Sequence, residues 1–262
     1  RPELVLDCAR ALADQIDETV EILVIDAGVE APVDAQALSG IWANSRVIRS
    51  EVRNMAVQRN EGIRRARGEI GMFLDDDCLV QPGWWPAIVE PLRGQQTTDH
   101  RQQTTDNRQQ TTGTGRHTLA DPGRSVVGDQ FPIGAVAGGV WRNMDPELLD
   151  RPGGYVDLFG VPRQVTHRGE GAPREVDWGV GCNTAFLKRA AEEVGGLSEV
   201  YGIYDEDIDF GLKLKRAGWR VVFQPRARVY HYCSDINRVV TKQTEFRAGR
   251  NRCMLLVRQY GF

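Results

Sequence analysis

An α/β fold with a mostly parallel sheet flanked by helices is what this 262-residue sequence predicts. Two apolar runs of strand length, Val20-Glu-Ile-Leu-Val-Ile-Asp26 and Glu69-Ile-Gly-Met-Phe-Leu74, are nearly uninterrupted, as in strands buried on both faces. Segments with helical apolar spacing alternate with such runs, the pattern of strands joined by crossover helices. Both runs end in acids, Asp26 in one case and Asp75-Asp76-Asp77 in the other. Open sheets of this kind bind ligands at the carboxyl ends of their strands.

The chain opens as a helix, with Leu4, Leu6, Cys8, Ala11, Leu12 and Ile16 in a stripe after Pro2, a favoured first-turn residue. After the strand to Asp26, Gly28 begins a loop, and a second short strand fits Arg46 to Ser50. Asn54 to Arg67 reads as a helix through Met55, Val57, Ile63 and Ala66, and Gly68 stops it. The strand to Leu74 then delivers the acidic triplet. From about 94 to 125 the pattern breaks into three seven-residue units rich in Gln and Thr. No apolar residue occupies an a- or d-like position there, so a coiled coil is excluded and a flexible insertion is expected. A strand resumes over Pro132 to Trp141, and 145 to 175 reads as a long loop. Asp177 to Lys188 is extended and leads into a helix from Arg189 to Val194. A further helix, Tyr204 to Arg216, carries acids in its first turn. Two short strands, Trp219 to Phe223 and Ala227 to Tyr230, present His231. Asn237 to Gln259 reads as a basic helix bearing Arg238, Lys242, Arg247, Arg250, Arg252 and Arg258. The expected organisation is one catalytic domain over 1–235 and a C-terminal helix over 236–262 packed upon it.

With 41% hydrophobic and 26% charged residues, composition excludes wholesale disorder and a fibrous repeat. The 33 basic and 36 acidic residues give a net charge of −3, which offers no global attraction to nucleic acid. No run approaches the roughly 18 apolar residues of a transmembrane helix. Five scattered cysteines with no C-x-x-C pair indicate neither a disulfide framework nor a cysteine zinc site. With no signal peptide in view, a cytoplasmic location is expected.

A single acid after a strand, such as Asp26, reads equally well as a turn residue. Three adjacent carboxylates are harder to accommodate. Like charges at close range repel by about 1 kcal/mol or more per pair, so a triplet calls for a cation or an exposed loop.

Arg59-Asn60-x-Gly62, Ala66-Arg-Gly-Glu69, Phe73-Leu-Asp-Asp-Asp77, Gly195-Gly-Leu197, Asp205-Glu-Asp-Ile-Asp209, Arg216-Ala-Gly-Trp219, Pro225 and His231 stand in the order seen in family 2 glycosyltransferases. The chain resembles that family's GT-A enzymes, whose fold is a Rossmann-like, mostly parallel sheet flanked by helices. The resemblance implies an inverting transfer of a sugar from a nucleoside-diphosphate sugar to an acceptor hydroxyl. It implies Mn²⁺ or Mg²⁺ held by Asp77 and Asp75, with His231 as a third ligand, and Asp207 as the base that takes the acceptor proton. Asp26, Arg59, Asp75 and Asp76 fall to the donor, although Arg59 reads equally as an ion pair holding its helix. Trp178, Gly181, Asn183 and Glu206 fall to the acceptor pocket. The acids beside Asp207 also suit the positive end of a helix.

In one respect the chain departs from the family. Arg1-Pro2-Glu3-Leu4 resembles only the segment that comes after the family's first strand, so that strand and its nucleobase contacts are missing from the sequence. Two other classes compete: a nucleotidyltransferase, which would release pyrophosphate, and a non-catalytic sugar-nucleotide binding module. Expected partners are the donor and an acceptor that is a glycan, a lipid-linked sugar or a small molecule, with no nucleic acid. The basic C-terminal helix is read first as solvated and packed on the domain, and second as a peripheral contact with the inner face of the membrane.

Overall fold

The structure, a computed structural model, describes residues 2–28, 31–94, 131–142, 145–151, 153–157, 159–165, 171–232 and 241–261. Residues 95–125 of the Gln/Thr-rich insertion expected over about 94–125, and residues 237–240 of the expected basic helix, lie outside them.

The N-terminal half alternates as the apolar pattern requires: α1 (Pro2–Ala13), β1 (Ile22–Asp26), α2 (Ala35–Ile41), β2 (Ser45–Arg49), α3 (Met55–Arg65) and β3 (Ile70–Leu74). Two of these helices have side-chain caps. Asp34 accepts from the Gln36 and Ala37 amides at the start of α2, and Asn54 accepts from the Val57 amide at the start of α3. β4 (Cys78–Val80) and α4 (Trp84–Arg93) come next. α2, β4 and α4 are elements that the sequence reading did not assign.

β5 (Ile133–Arg142), β6 (Asp145–Arg151), β7 (Gly154–Val156), β8 (Pro162–Gln164), β9 (Arg174–Val176) and β10 (Asn183–Leu187) precede α5 (Lys188–Glu193) and α6 (Glu206–Arg216). The chain ends with β11 (Arg220–His231) and α7 (Lys242–Tyr260). The segment expected to be one long loop therefore contains β6 to β9. β7 and β8 pair as a hairpin, while β6 adds to β5 and β9 adds to β11. Strands of three residues are too short to carry an alternating signal, and the edges they join come from distant parts of the chain. β11 is likewise one strand rather than two, with a register shift between Gln224 and Arg228 that accommodates Pro225.

The α/β class holds, but the sheet is mixed rather than mostly parallel. β1 and β2 run parallel, as do β5 and β11. β10 is antiparallel to both β3 and β5, and β11 is antiparallel to β4, in the order β3-β10-β5-β11-β4. Crossover helices force parallel pairing in the first half, whereas β10 enters between β3 and β5 from a loop and is free to run the other way.

Among the described residues β1 pairs only with β2, and β3 only with β10. Ile22 to Asp26 and Ile70 to Leu74 line the same cavity of about 2530 Å³, together with Val5, Cys8 and Leu12 of α1.

The core lies under the larger sheet, where Phe73, Phe186 and Phe210 stack with centroids 4.5 to 6.4 Å apart. Gly71 allows this approach, because a Cβ there would meet the Phe186 ring at 2.5 Å. Asn183 joins the core rather than the site. Its fully buried amide donates to the carbonyls of Gly139 (2.9 Å) and Ala227 (3.0 Å) and accepts from the Trp84 indole (2.9 Å). An acceptor sugar has no access to it, which corrects the expectation for this residue.

Asn183→Ala should orphan three buried polar groups and cost about 2–4 kcal/mol of stability. Urea unfolding should show a lower midpoint with an unchanged slope, while ligand binding in the cavity is retained. An unchanged midpoint would show that these bonds contribute nothing.

Candidate active site

Three elements deliver the chemistry. β3 ends in Asp75-Asp76-Asp77, α6 begins with Glu206-Asp207, and α3 lies between them and projects Arg59. The guanidinium bonds Glu206 through Nη1 (2.8 Å) and Asp75 through Nη2 (3.2 Å), and stands 5.6 Å from the centre of the Phe73 ring. Arg59 is only 10% exposed. Gly181 makes room for it, since a Cβ there would lie 2.3 Å from Nη1. Burial opposes the charge on Arg59, yet Asp75, Glu206 and Asp207 prevail and raise its pKa.

Asp207 is half-buried. Its carboxylate accepts from the Gly181 amide (3.2 Å) and from the Ile208 amide (2.9 Å). Burial raises its pKa, against the pull of Arg59 and of these two amides. Glu206 is pushed up to about 7 by burial and by the charge of Asp207, with Arg59 opposing. These carboxylates share one pocket, so they titrate as a pair.

At the other wall, His231 at the end of β11 lies with Nε2 2.8 Å from Asp77 Oδ1. Burial disfavours the imidazolium, but the bond to Asp77 and the field of Asp75 and Asp77 raise its pKa to about 9. The β4–β11 register places His231 opposite Cys78, and the Asp77, Cys78 and His231 ligand atoms lie within 4.8 Å of one another. Cys78 is a neighbour that the sequence reading did not count. Its thiol bonds the Cys182 carbonyl at 3.8 Å, and that bond, with burial and nearby negative charge, drives its pKa well above the ordinary value. A thiol held protonated is a poor metal ligand. The donor set that fits a hard or borderline divalent ion is therefore Asp77 and His231, with Asp75 adjacent.

Asp26 bonds the amides of Gly28 (2.7 Å) and Val33 (2.9 Å) and pairs with Arg49. Burial opposes ionisation, but these bonds lower its pKa. Its carboxylate thus organises the turn after β1, while the residue still lines the cavity. Asp26, Arg59, Asp75, Asp76, Asp77, Trp178, Gly181, Glu206, Asp207 and His231 all line this one cavity. Of the expected site residues, only Asn183 stands apart.

The family model of glycosyl transferase family 2 matches residues 1–143, and that of glycosyl transferase family group 2 matches residues 168–245. The chain belongs to glycosyl transferase family 2. Within this family 2 chain, a 63-residue segment is 40% identical to an N-acetylglucosaminyl-diphospho-decaprenol L-rhamnosyltransferase of Mycobacterium tuberculosis, covering 24% of this chain and 20% of that protein. The match thus spans about a fifth of the curated relative. Among solved structures, GalNAc-T7 with UDP, GalNAc and Mn²⁺ superposes with a TM-score of 0.55 at 16% identity, over 85% of this chain and 40% of that one. The mannosyltransferase PcManGT from Pyrobaculum calidifontis, in complex with GDP-Man and Mn²⁺, gives 0.53 at 17% identity, over 98% and 60%. At these identities the likeness establishes the fold.

Two features of the family 2 site were not read from sequence. Tyr204 and Asp205, ahead of the Glu-Asp pair, both have left-handed backbones (φ 72° and 66°). α7, expected as a solvated basic helix packed on the domain, buries Asn251 against this loop, with Arg250 and Arg252 also bonded to it. No helix among the described residues is long and apolar enough to cross a membrane.

If an ionised carboxylate at the start of α6 is needed for turnover, the rate should rise with pH, with its midpoint near 7, the value to which Glu206 is raised, and level off above it. Glu206→Gln should move that rise to lower pH, because loss of one carboxylate relieves the repulsion that keeps its neighbour protonated. A pH–rate profile that does not move would separate the pair electrostatically.

Proposed function

We propose that this chain is the catalytic domain of an inverting, divalent-metal-dependent glycosyltransferase that moves a sugar from a nucleoside-diphosphate sugar to an acceptor hydroxyl. The observation that carries this reading is the placement of one amide-anchored carboxylate, Asp207, on the wall of the cavity that also holds Asp75, Asp77 and His231. Family membership supports it, as do the nucleotide sugars and Mn²⁺ named with the structural neighbours.

Asp77 and His231, with Asp75 beside them, would hold the Mn²⁺ or Mg²⁺. When bound, that ion would neutralise the donor diphosphate and stabilise the departing nucleoside diphosphate. The protein's own groups do the rest. Arg59 fixes Asp75 and Glu206 by direct bonds, so it acts on the donor through Asp75. Asp26, Asp75 and Asp76 line the donor end, whereas Trp178, Gly181 and Glu206 line the acceptor end. Asp207 takes the hydroxyl proton as oxygen attacks the anomeric carbon, and displacement from the face opposite the leaving group inverts that centre. The Gly181 and Ile208 amides aim the carboxylate and favour its ionised form.

We assign the catalytic domain to 1–235 and the basic C-terminal segment to 236–262, in a protein of the cytoplasm. The acceptor is a glycan, a lipid-linked sugar or a small molecule. Arg250 and Arg252 are engaged within the molecule, which leaves Lys242, Arg247 and Arg258 of the described helix for a peripheral contact with an anionic membrane face.

Thermal stabilisation by UDP-, GDP- and dTDP-sugars, with and without Mn²⁺, tests the donor class. A ligand at 100 times its dissociation constant should add about 2.7 kcal/mol. Release of nucleoside diphosphate supports glycosyl transfer, whereas release of pyrophosphate would indicate nucleotidyl transfer. Asp77→Ala should abolish the Mn²⁺-dependent part of the stabilisation, and retention of it would remove the metal assignment. Asp207→Asn should leave donor binding intact and lower turnover by about 10²-fold or more. If binding and rate fall together, Asp207 is not the base.

A further inference from the structure

Asn251 is fully buried in the middle of α7, where a polar side chain with no function would be costly. Its amide nitrogen donates to the carbonyls of Tyr201 (3.1 Å), Ile203 (2.8 Å) and Tyr204 (2.8 Å). Its amide oxygen accepts from the Arg250 guanidinium at 2.7 and 3.0 Å, and the same guanidinium reaches the Tyr201 carbonyl at 3.3 Å. Arg252 then grips Asp205 with two bonds, Nη2 to Oδ1 (2.8 Å) and Nε to Oδ2 (3.1 Å). Three consecutive residues of one helix thus fasten the main chain and the acid that immediately precede Glu206-Asp207.

The segment they hold cannot hold itself. Tyr204 and Asp205 occupy the left-handed region in succession, a conformation that residues with a Cβ adopt only when surrounding structure over-determines it. Asp205 stands at the N-cap of α6, yet its carboxylate makes no capping bond there, because Arg252 draws it away. The direction in which α6 presents Asp207 to the Gly181 amide is set by this bent entry. Farther along, Gln259 of α7 bonds Asp209 at 2.6 Å and ties down the next turn of α6.

We infer that Asn251 and Arg252 are positioning residues for the transfer reaction, holding the 201–205 loop in its strained form so that Asp207 meets the acceptor hydroxyl. The inference rests on the proposed role of Asp207. It assigns α7 to the acceptor half of the site, because none of these bonds touches Asp75, Asp77 or His231. The donor half should therefore be insensitive to them.

The test uses the whole chain, with UDP-N-acetylglucosamine, GDP-mannose and a dTDP-sugar as donor probes and water as the acceptor of last resort. Asn251→Ala should lower the rate of nucleoside diphosphate release about 10- to 100-fold, with Mn²⁺-dependent donor stabilisation within about twofold of the parent. In an Asp207→Asn background the same substitution should have no further effect on rate, since the group it aims is already disabled. Arg252→Gln should behave likewise, and Arg252→Lys should recover part of the loss. A full, independent rate loss in the Asp207→Asn background, or donor binding that falls in parallel, would overturn the assignment. Hydrogen exchange in peptides over 200–208 provides a readout free of any substrate. It should accelerate in Asn251→Ala while exchange in β10 and β11 stays unchanged, and unchanged exchange over 200–208 would refute the holding role. If the parent releases no nucleoside diphosphate from any probe, the transferase reading fails on that result, and the exchange measurement still decides whether α7 restrains the loop.

Discussion

The buried guanidinium of Arg59 is the interaction on which the site depends. Among the described residues it is the one cation in contact with both the acid that ends β3 and the acid that begins α6, which lie far apart along the chain. Without it, Asp75, Glu206 and Asp207 would face one another with no cation between them, and the pKa values of Glu206 and Asp207, which Arg59 holds down against burial, would rise further. A lysine could offer one contact at a time, whereas the planar fork reaches both carboxylates and also lies over the Phe73 ring. The adjacent residue extends the same clamp. Asn60 accepts from the Leu197 amide (2.8 Å) and donates to the Leu197 carbonyl (2.9 Å), fixing α3 against the Gly195-Gly196 turn. Gly196 is required there, because a Cβ would stand 2.4 Å from the Asn60 amide oxygen. The Arg-Asn pair therefore sets the distance between the two halves of the cavity wall.

Much of this was legible in the sequence, for identifiable reasons. β1, β3, α3 and α6 were read correctly because each is long enough for apolar periodicity to appear and each is closed by an acid or a glycine. Motif order then placed ten of the expected residues on one cavity. What escaped was decided by contacts between distant segments. β6 to β9 are short pieces that borrow an edge from β5, β11 or one another. The direction of β10 depends on its entry between two strands already in place. Asn183 sits in a stretch where position along the chain suggested an acceptor contact, but strand alternation turns its amide toward Trp84 and away from the site. The helix bearing Arg250 and Arg252 was expected to be solvated and packed on the domain, but which of its faces turns inward was not read. The Asn between them, an unusual choice in a helix interior, was the available signal that this face turns inward.

The acids at the two strand ends are held separately. Asp26 at the end of β1 is bound by Arg49 and by the amides of its own turn, while Asp75 at the end of β3 is bound by Arg59.

The entry to α6 is held from outside. The backbone is left-handed at two successive residues, Tyr204 and Asp205, and polar bonds from Asn251 and Arg252 of α7 fasten it, while the Gly181 amide bonds the Asp207 carboxylate that follows. Burial of Asp207 raises its affinity for a proton, whereas Arg59 and the Gly181 and Ile208 amides favour its ionised form. Placement and proton affinity are consequently one problem. The fold addresses it by pinning the loop from α7 and the carboxylates from α3, so that neither helix alone determines where the charge sits.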